Sequence, residues 1–155
     1  MTTGAPNTAV TALIESSMMI NDKMPEYCVD RAAKILNKVK KAMNGSKVLV
    51  LGVAYKQDID DYRESPALKV IDVLEREGAE VTFFDPWVKE YKHNGQTRQS
   101  IPALTEDVLK AADLVMITTA HTNIDYDMVQ KNAALIFDTK NAMKNIANRE
   151  NIEVL

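Results

Sequence analysis

The sequence lacks the features that mark membrane, disulfide-bonded or nucleic-acid-binding proteins. No apolar run approaches the roughly 20 residues that a membrane-spanning helix needs, and Met1–Val10 lacks the basic start and apolar stretch of a signal peptide. The lone Cys28 excludes an internal disulfide and fits a reducing compartment. The net charge of -3 argues against nucleic acid as the main partner, because phosphate binding needs a concentrated basic surface. The composition therefore predicts a cytoplasmic protein that binds neither membranes nor nucleic acid.

Two further absences limit the chemistry. The two histidines, His93 and His121, are far apart in sequence and have no cysteine nearby, so the chain shows no metal-ligand spacing. After the first predicted strand only Gly52 is present, in place of the Gly-x-Gly-x-x-Gly fingerprint that lets a backbone approach a pyrophosphate. We therefore expect this chain to bind neither a metal ion nor a dinucleotide.

The remaining pattern is that of a globular α/β protein. With 155 residues, of which 46% are hydrophobic, the chain is long enough for one domain with a substantial core. Its clearest unit is strand, helix, strand. An apolar run at Val48–Val53 predicts a buried strand, Ser65 and Pro66 predict the start of a helix, Gly78 predicts its end, and Val81–Phe84 predicts a second strand.

The rest of the chain continues this alternation. The spacing predicts further strands and helices, together with a polar excursion that turns at Asn94-Gly95; these segments are the strands Leu114–Thr118, Leu135–Asp138 and Ile152–Leu155, the helices Leu104–Ala112 and Tyr126–Lys131, and the excursion Trp87–Ser100. The fold class is therefore α/β: a Rossmann-like, open, mostly parallel sheet with helices on both faces, preceded by a helical linker.

Two amphipathic helices are predicted before the first strand, over Val10–Ile20 and Val29–Met43, with a break at Asn21–Pro25 because proline fits only the first turn of a helix. Two interpretations stay open. Their apolar faces meet another domain or a partner chain, or they cover one face of the sheet. We divide the chain into residues 1–44, a tail with a linker or dimerisation segment, and residues 45–155, the sheet domain.

Ligands of open α/β sheets bind beyond the carboxyl ends of the strands. This rule selects four loops, namely Gly52–Arg63, Asp85-Pro86, Thr118–Asn123 and Asp138–Asn141. Tyr55 and Lys56 in the first loop could hold a base or sugar and a phosphate, or they are a solvated lysine and a tyrosine that covers the end of the sheet. Lys140 and Asn141 could reach the same cleft, and His121 is a further candidate ligand contact.

The loop over residues 54–64 is densely charged. Its paired carboxylates would suit acid–base chemistry or metal binding, but no histidine lies nearby in sequence and no calcium-loop pattern is present. We interpret Asp61 and Arg63 as residues that hold the loop together, and Ser65 as the cap of the next helix. Cys28 lies at an apolar helical position, which favours a buried residue over a reactive thiol.

Several of these segments together resemble a known family. They are GVAYK over residues 52–56, DYRESPA over 61–67, Gly78-Ala79, Asp85-Pro86, INDKMPEY over 20–27 and DTKNA over 138–142. They resemble the central helical linker and the C-terminal domain of the UDP-glucose/GDP-mannose dehydrogenases, over about Thr11 to Lys144. They look most like bacterial members that act on UDP-N-acetylhexosamines or UDP-glucose in polysaccharide synthesis.

The resemblance implies the UDP-sugar-binding domain of an NAD-dependent enzyme that oxidises a UDP-sugar to a UDP-uronate through a catalytic cysteine. It places the NAD domain and that cysteine before the central helix, and Cys28 does not match the nucleophile. This chain is therefore expected to have no catalytic residue of its own, to be inactive in isolation and to form a homodimer through the linker.

Three residues carry the family's substrate contacts. Tyr55 and Lys56 match its aromatic–lysine pair at the nucleotide-sugar site, and Lys140 stands where the family usually has an arginine that reaches the substrate. Lysine keeps the charge but not the planar fork of arginine. Two other functions stay open: a non-catalytic dimerisation module whose ligand cleft is vestigial, and a stand-alone domain that senses phosphate.

Overall fold

The structure, a computed structural model, describes residues 23–155. The helix predicted over Val10–Ile20 and the start of the break predicted at Asn21–Pro25 lie outside the described residues. The described part begins in a helix over residues 23–37, α1, which contains Pro25. No helix among the described residues is both long and apolar enough to cross a membrane.

Helix α1 ends earlier than the predicted Met43. Lys40 adopts a left-handed conformation with φ of 63°, and the Lys41 N–H donates to the Leu36 carbonyl across 3.0 Å. This bond, which reaches back five residues along the chain, closes the C-terminus of the helix and satisfies one of its last carbonyl groups. Met43 is nevertheless buried in the core, so the apolar pattern continued past the end of the helix.

Strands and helices then alternate as the sequence predicts. The elements are β1 (Lys47–Leu51), α2 (Pro66–Arg76), β2 (Glu80–Phe84), β3 (Glu90–His93), β4 (Gln96–Gln99), α3 (Glu106–Ala111), β5 (Leu114–Ile117), α4 (Tyr126–Asn132), β6 (Ile136–Asp138) and β7 (Ile152–Val154). Five strands form one sheet in the order β2-β1-β5-β6-β7, and every neighbouring pair in it is parallel. The predicted fold class, a Rossmann-like open sheet, is confirmed.

The polar excursion between β2 and α3 is more ordered than predicted. It forms an antiparallel hairpin of β3 and β4, in which Asn94 and Gly95 have φ of 50° and 76° at the turn. Positive φ at both central residues is the geometry of a tight hairpin turn that asparagine followed by glycine favours. Tyr91 of the hairpin is buried, and its ring centre lies 5.1 Å from that of Phe83, which attaches the hairpin to the sheet.

Side chains on the two faces of the sheet form separate cores. On one face, Val48 and Val50 pack with α1 and α2. On the other face, Leu49 and Leu51 pack with residues of α3 and α4. This alternation along β1 is what a strand buried on both faces requires. It places helices on both sides, so that ligands can approach only at the ends of the strands.

Helix α1 is part of the first of these cores. Ala32, Ile35 and Leu36 are buried with the sheet residues. The Arg31 guanidinium lies 5.5 Å from the centre of the Phe137 ring and donates to the Val154 carbonyl across 3.2 Å. Of the two interpretations of the N-terminal helices, residues 23–37 therefore support the one in which a helix covers one face of the sheet.

Candidate functional site

The loops after β1 and β5 meet at the carboxyl edge of the sheet because Gly52 has no side chain. Its φ is +89°, and a Cβ added there would lie 2.4 Å from the Cβ of Thr119. The Thr119 hydroxyl donates to the Ala54 carbonyl across 2.8 Å, and the Thr118 hydroxyl donates to the Gly52 carbonyl. Two neighbouring loops are thus joined directly by hydrogen bonds from threonine hydroxyls to backbone carbonyls.

Asp85, which directly follows β2, binds backbone N–H groups of the loops at the same edge. Its side chain is 0% exposed. One carboxylate oxygen accepts the N–H groups of Val53 and Ala54, across 2.8 and 3.2 Å, and the other accepts those of Trp87 and Val88, across 2.8 and 3.0 Å. Sequence reasoning selected Asp85-Pro86 as the end of a strand and as one of four loops at the ligand-binding edge, but it did not predict that Asp85 binds the neighbouring backbone N–H groups. An acidic residue directly after a strand, at the edge of the sheet where free N–H groups gather, was the signal for this role.

His121 completes the environment of this carboxylate. Its Nε2 donates to Asp85 across 2.9 Å, and its Nδ1 accepts the Asp58 N–H across 2.8 Å. Burial, the largest single influence, raises the pKa of Asp85, but the hydrogen bonds from His121 and from the Val53 and Trp87 N–H groups outweigh it and lower that pKa below its usual value. Asp85 is therefore a buried anion that is compensated chiefly by hydrogen-bond donors.

This position corrects the expectation that His121 contacts a ligand. The ring is 0% exposed and both of its nitrogens are bonded inside the protein. It lies under the loop that carries Tyr55 and Lys56, so any influence of His121 on a ligand acts through that loop.

The charged loop over residues 54–64 is held by its own side chains. The Asp58 carboxylate accepts from the Thr122 N–H and hydroxyl, across 2.9 and 2.7 Å, and these two bonds lower its pKa. The predicted pair of Arg63 and Asp61 is present, with 3.1 Å between Nε and Oδ1, but it is exposed to solvent and contributes little to stability. Within residues 23–155, no group of three His, Cys, Asp or Glu side chains is placed to hold a metal ion.

Ser65 begins α2 and ties it to the same loop. Its hydroxyl accepts the Ala67 N–H and donates to the Ala54 carbonyl, each across 3.3 Å. Pro66 occupies the first position of the helix, where its missing N–H costs nothing. The cap predicted from the sequence is therefore also a link between α2 and the loop after β1.

A polar cleft of about 350 Å³ opens above these loops, and it contains all three residues of the predicted substrate site. It is lined by Tyr55, Lys56, Gln57, Thr118, Thr119, Ala120 and Lys140. Tyr55 is 52% exposed, and the Lys56 ammonium lies 5.9 Å from the centre of its ring. Among the described residues, no carboxylate forms a salt bridge with Lys56 or Lys140. The cleft therefore combines an aromatic face with two ammonium groups available to an anion.

The loop after β6 positions Lys140. The Asp138 carboxylate is buried and accepts the N–H groups of Lys140, Ala142 and Met143, across 3.1, 3.0 and 2.8 Å. Asn141 takes the left-handed conformation of this turn, with φ of 55°. Asn141, predicted as a further ligand contact, is exposed and does not line the cleft.

Cys28 lies beside the cleft in a more apolar chamber of about 410 Å³, which also reaches Lys140 and Thr118. Burial raises the pKa of the Cys28 thiol, and the nearby charges of Lys140 and Arg31 only partly oppose this effect. A thiol with a raised pKa is a poor nucleophile. The prediction that Cys28 is a buried core residue is confirmed.

The chain is similar to known proteins over most of its length. Residues 49–145 match the UDP-binding domain of the UDP-glucose/GDP-mannose dehydrogenase family. The chain is 34% identical to the UDP-N-acetyl-D-mannosamine dehydrogenase of Methanocaldococcus jannaschii, in a match that covers 89% of this chain and 30% of that protein. It is 28% identical to the UDP-glucose 6-dehydrogenase of Rickettsia bellii, covering 85% and 31%. The chain thus spans about a third of the length of these relatives.

Solved structures agree in fold. A UDP-D-ManNAc dehydrogenase from Pyrococcus horikoshii superimposes with a TM-score of 0.75 at 28% identity, covering 92% of this chain and 33% of that one. A UDP-N-acetyl-mannosamine dehydrogenase from Staphylococcus aureus gives 0.68 at 33% identity, covering 97% and 33%. The family match over residues 49–145 includes the loops that line the cleft.

Proposed function

This chain belongs to the UDP-glucose/GDP-mannose dehydrogenase family, and on that premise we propose that its cleft binds the UDP part of a UDP-sugar. One observation carries the proposal: Tyr55, Lys56 and Lys140 come from two separate loops and line one cleft. A diphosphate needs positive charge, and a base or sugar needs an apolar face. The cleft offers both within a few residues.

The electrostatics of the cleft suit a diphosphate. The ammonium groups of Lys56 and Lys140 are compact charges that attract phosphate oxygens without imposing a fixed geometry. The exposed face of Tyr55 offers a stacking surface beside them. A volume of about 350 Å³ falls at the lower end of the range of small-molecule sites, which fits a cleft that supplies one side of a larger site.

We further propose that the chain serves an NAD-dependent UDP-sugar 6-dehydrogenase of the cytoplasm, which makes UDP-uronates for polysaccharide synthesis and forms a homodimer through the helical linker. The residues of this chain do not themselves fit NAD. The loop after β1 has Gly52 but then the buried side chains of Val53 and Ala54. Asp85, at the end of β2 where a dinucleotide fold presents a carboxylate to ribose, is fully buried and bonded to backbone N–H groups. No hydride chemistry is therefore assigned to this chain.

A titration of the chain with UDP, followed by backbone amide NMR, tests the proposal. We expect shifts at residues 55–57, 118–120 and 140, and weaker or no shifts with uridine. The variant Lys56→Ala should bind UDP more weakly, whereas Lys69→Ala, which removes the same charge from an exposed position of α2, should not.

Other outcomes would contradict it. If millimolar UDP caused no shifts, or shifts only at another surface, the proposal that this cleft binds UDP would be wrong. Equal binding of inorganic phosphate and UDP would favour a phosphate sensor. If light scattering showed a dimer that does not bind UDP and whose mass is the same with and without UDP, the function of an assembly module would be favoured.

A further inference from the structure

We propose that His121 is a positioning residue for the cleft: it holds the segment that carries Tyr55 and Lys56 in its ligand-binding conformation by accepting the Asp58 N–H. This inference rests on the proposed function, because it concerns the affinity of the same cleft. It assigns a role to a histidine that cannot reach a ligand, since its side chain is fully buried.

The hydrogen bonds of His121 fix a single tautomer. Asp85 is ionised and accepts only, so Nε2 of the ring must carry the proton that bridges the 2.9 Å between them. The Asp58 N–H can only donate, so Nδ1 must be the acceptor across 2.8 Å. A neutral imidazole with the proton on Nε2 satisfies both partners at once. A second proton on the ring would have to displace the Asp58 N–H.

The segment between Ala54 and Asp58 depends on this bond at one end. At its start, the Val53 and Ala54 N–H groups are held by Asp85. At its far end, Asp58 has φ of 60°, a conformation that is uncommon for non-glycine residues, although aspartate adopts it more readily than most; the bonds from His121 and Thr122 hold it there. The exposed residues 55–57 lie between these two fixed points and line the cleft.

The loop after β5 forms hydrogen bonds with both the backbone N–H and the side chain of Asp58. His121 accepts its N–H, while the Thr122 N–H and hydroxyl donate to its carboxylate. His121 is itself held, because its carbonyl accepts the Tyr126 hydroxyl across 2.7 Å. Ala120, the residue before it, lines the cleft. The same short loop therefore forms one wall of the cleft and fixes the segment that forms the opposite wall.

Loss of the Nδ1 acceptor should leave the segment ordered for only a fraction of the time. Apparent affinity falls in proportion to the fraction of molecules in the competent conformation. The effect on UDP should therefore be a modest weakening that accompanies increased opening at Asp58, with the cleft residues themselves unchanged.

Two substitutions separate the two bonds of the ring. In His121→Asn, the shorter amide can place its oxygen near the position of Nδ1 and still accept the Asp58 N–H, but it cannot reach Asp85. In His121→Gln, the longer amide can place its nitrogen near the position of Nε2 and donate to Asp85, but it offers no acceptor to Asp58. His93→Gln is the matched control, since His93 bonds to Asp72 and does not line the cleft.

The readouts are amide hydrogen exchange at Asp58 and the Kd for UDP, both on the full chain. We expect His121→Gln to speed exchange at Asp58 by about tenfold and to weaken UDP binding by about three- to tenfold. His121→Asn should stay within about twofold of the wild type in both, although it loses the contact with Asp85. His93→Gln should change neither.

Equal effects of the Asn and Gln variants, or wild-type affinity in His121→Gln, would overturn the proposal and leave His121 a residue of the buried core only. Should the variants fail to fold, the wild type decides: saturating UDP must slow exchange at Asp58, because coupling between loop order and binding is reciprocal. Unchanged exchange on binding would overturn it.

A different result separates this proposal from the proposed function. If the wild type does not bind UDP, the proposed function fails. Exchange at Asp58 in the variants, or the N–H···N scalar coupling between Asp58 and His121 in the wild type, still decides whether His121 holds the segment.

Discussion

Gly52 and Thr119 approach so closely that no side chain fits between them. A Cβ on Gly52 would lie 2.4 Å from the Thr119 Cβ and 2.8 Å from its carbonyl oxygen. The contact lies beside the cleft, because Thr119 lines the cleft and Tyr55 and Lys56 follow Gly52 by only a few residues. The contact sets how near the loops after β1 and β5 can come.

Gly52→Ala should therefore destabilise the fold and widen the cleft. The positive φ alone costs about 1–2 kcal/mol for a residue with a Cβ, and the overlap with Thr119 adds about 1–3 kcal/mol. We expect the free energy of unfolding in urea to fall by the sum of both terms. Gly45→Ala is the control: its φ is +85°, but an added Cβ meets nothing within 4 Å, so only the conformational cost should appear. Equal losses in the two variants would contradict the close contact.

Asp85→Asn should destabilise the protein strongly while hardly changing side-chain volume. The amide has one acceptor oxygen in place of two, and its NH2 group would face backbone N–H donors on one side of the side chain. Loss of charge-assisted hydrogen bonds and repulsion between buried donors should cost about 3 kcal/mol or more. Urea denaturation measures this. Asp113→Asn, which alters a partly exposed carboxylate bonded to Lys41 and the Lys47 N–H, should cost much less.

The stability contributed by Asp85 should disappear in acid. Its pKa is lowered in the folded protein from the usual 3.8, so the folded state binds the proton less tightly than the unfolded chain does. The contribution is therefore fully present above about pH 5 and is lost as the pH falls below 3.8 and through the folded pKa. The gap in unfolding free energy between the wild type and Asp85→Asn should narrow over that range. A gap that stays constant down to pH 3 would mean that the carboxylate is not preferentially ionised in the fold.

Much of the fold and of the cleft could be predicted because both follow from strand positions. Apolar runs located β1, β5 and β6, and these strands proved to be neighbours in the sheet. Parallel neighbours end at the same edge, so Lys56 and Lys140 had to meet there. The start of α2 could be predicted equally well, because Ser65 and Pro66 suit the first turn of a helix and an apolar pattern of helical spacing follows them.

The rest depended on contacts that no local pattern reveals. The sequence around a loop histidine does not show whether its side chain faces a ligand or the core. His121 faces the core because its ring bonds to Asp85, which is distant in sequence. The end of α1 was missed because Lys40 adopts a left-handed conformation to which lysine has no special tendency. The hairpin was missed because β4, with the sequence QTRQ, has no buried residue to reveal its alternation.

Lys140→Ala should weaken UDP binding, and Lys140→Arg should preserve or strengthen it. The Lys140 ammonium lines the cleft and has no salt-bridge partner among residues 23–155, so its charge is available to a phosphate. A hydrogen bond to a charged group is worth about 1.5–3 kcal/mol when shielded, and partial exposure here reduces this to about a five- to twentyfold change in Kd. Arginine adds a planar fork that can bond two phosphate oxygens.

Lys144→Ala is the matched control, because it removes the same charge from an exposed position outside the cleft. Calorimetric titration with UDP at fixed ionic strength measures all four proteins. Equal weakening by Lys140→Ala and Lys144→Ala would show that net charge, and not a contact at Lys140, attracts the nucleotide.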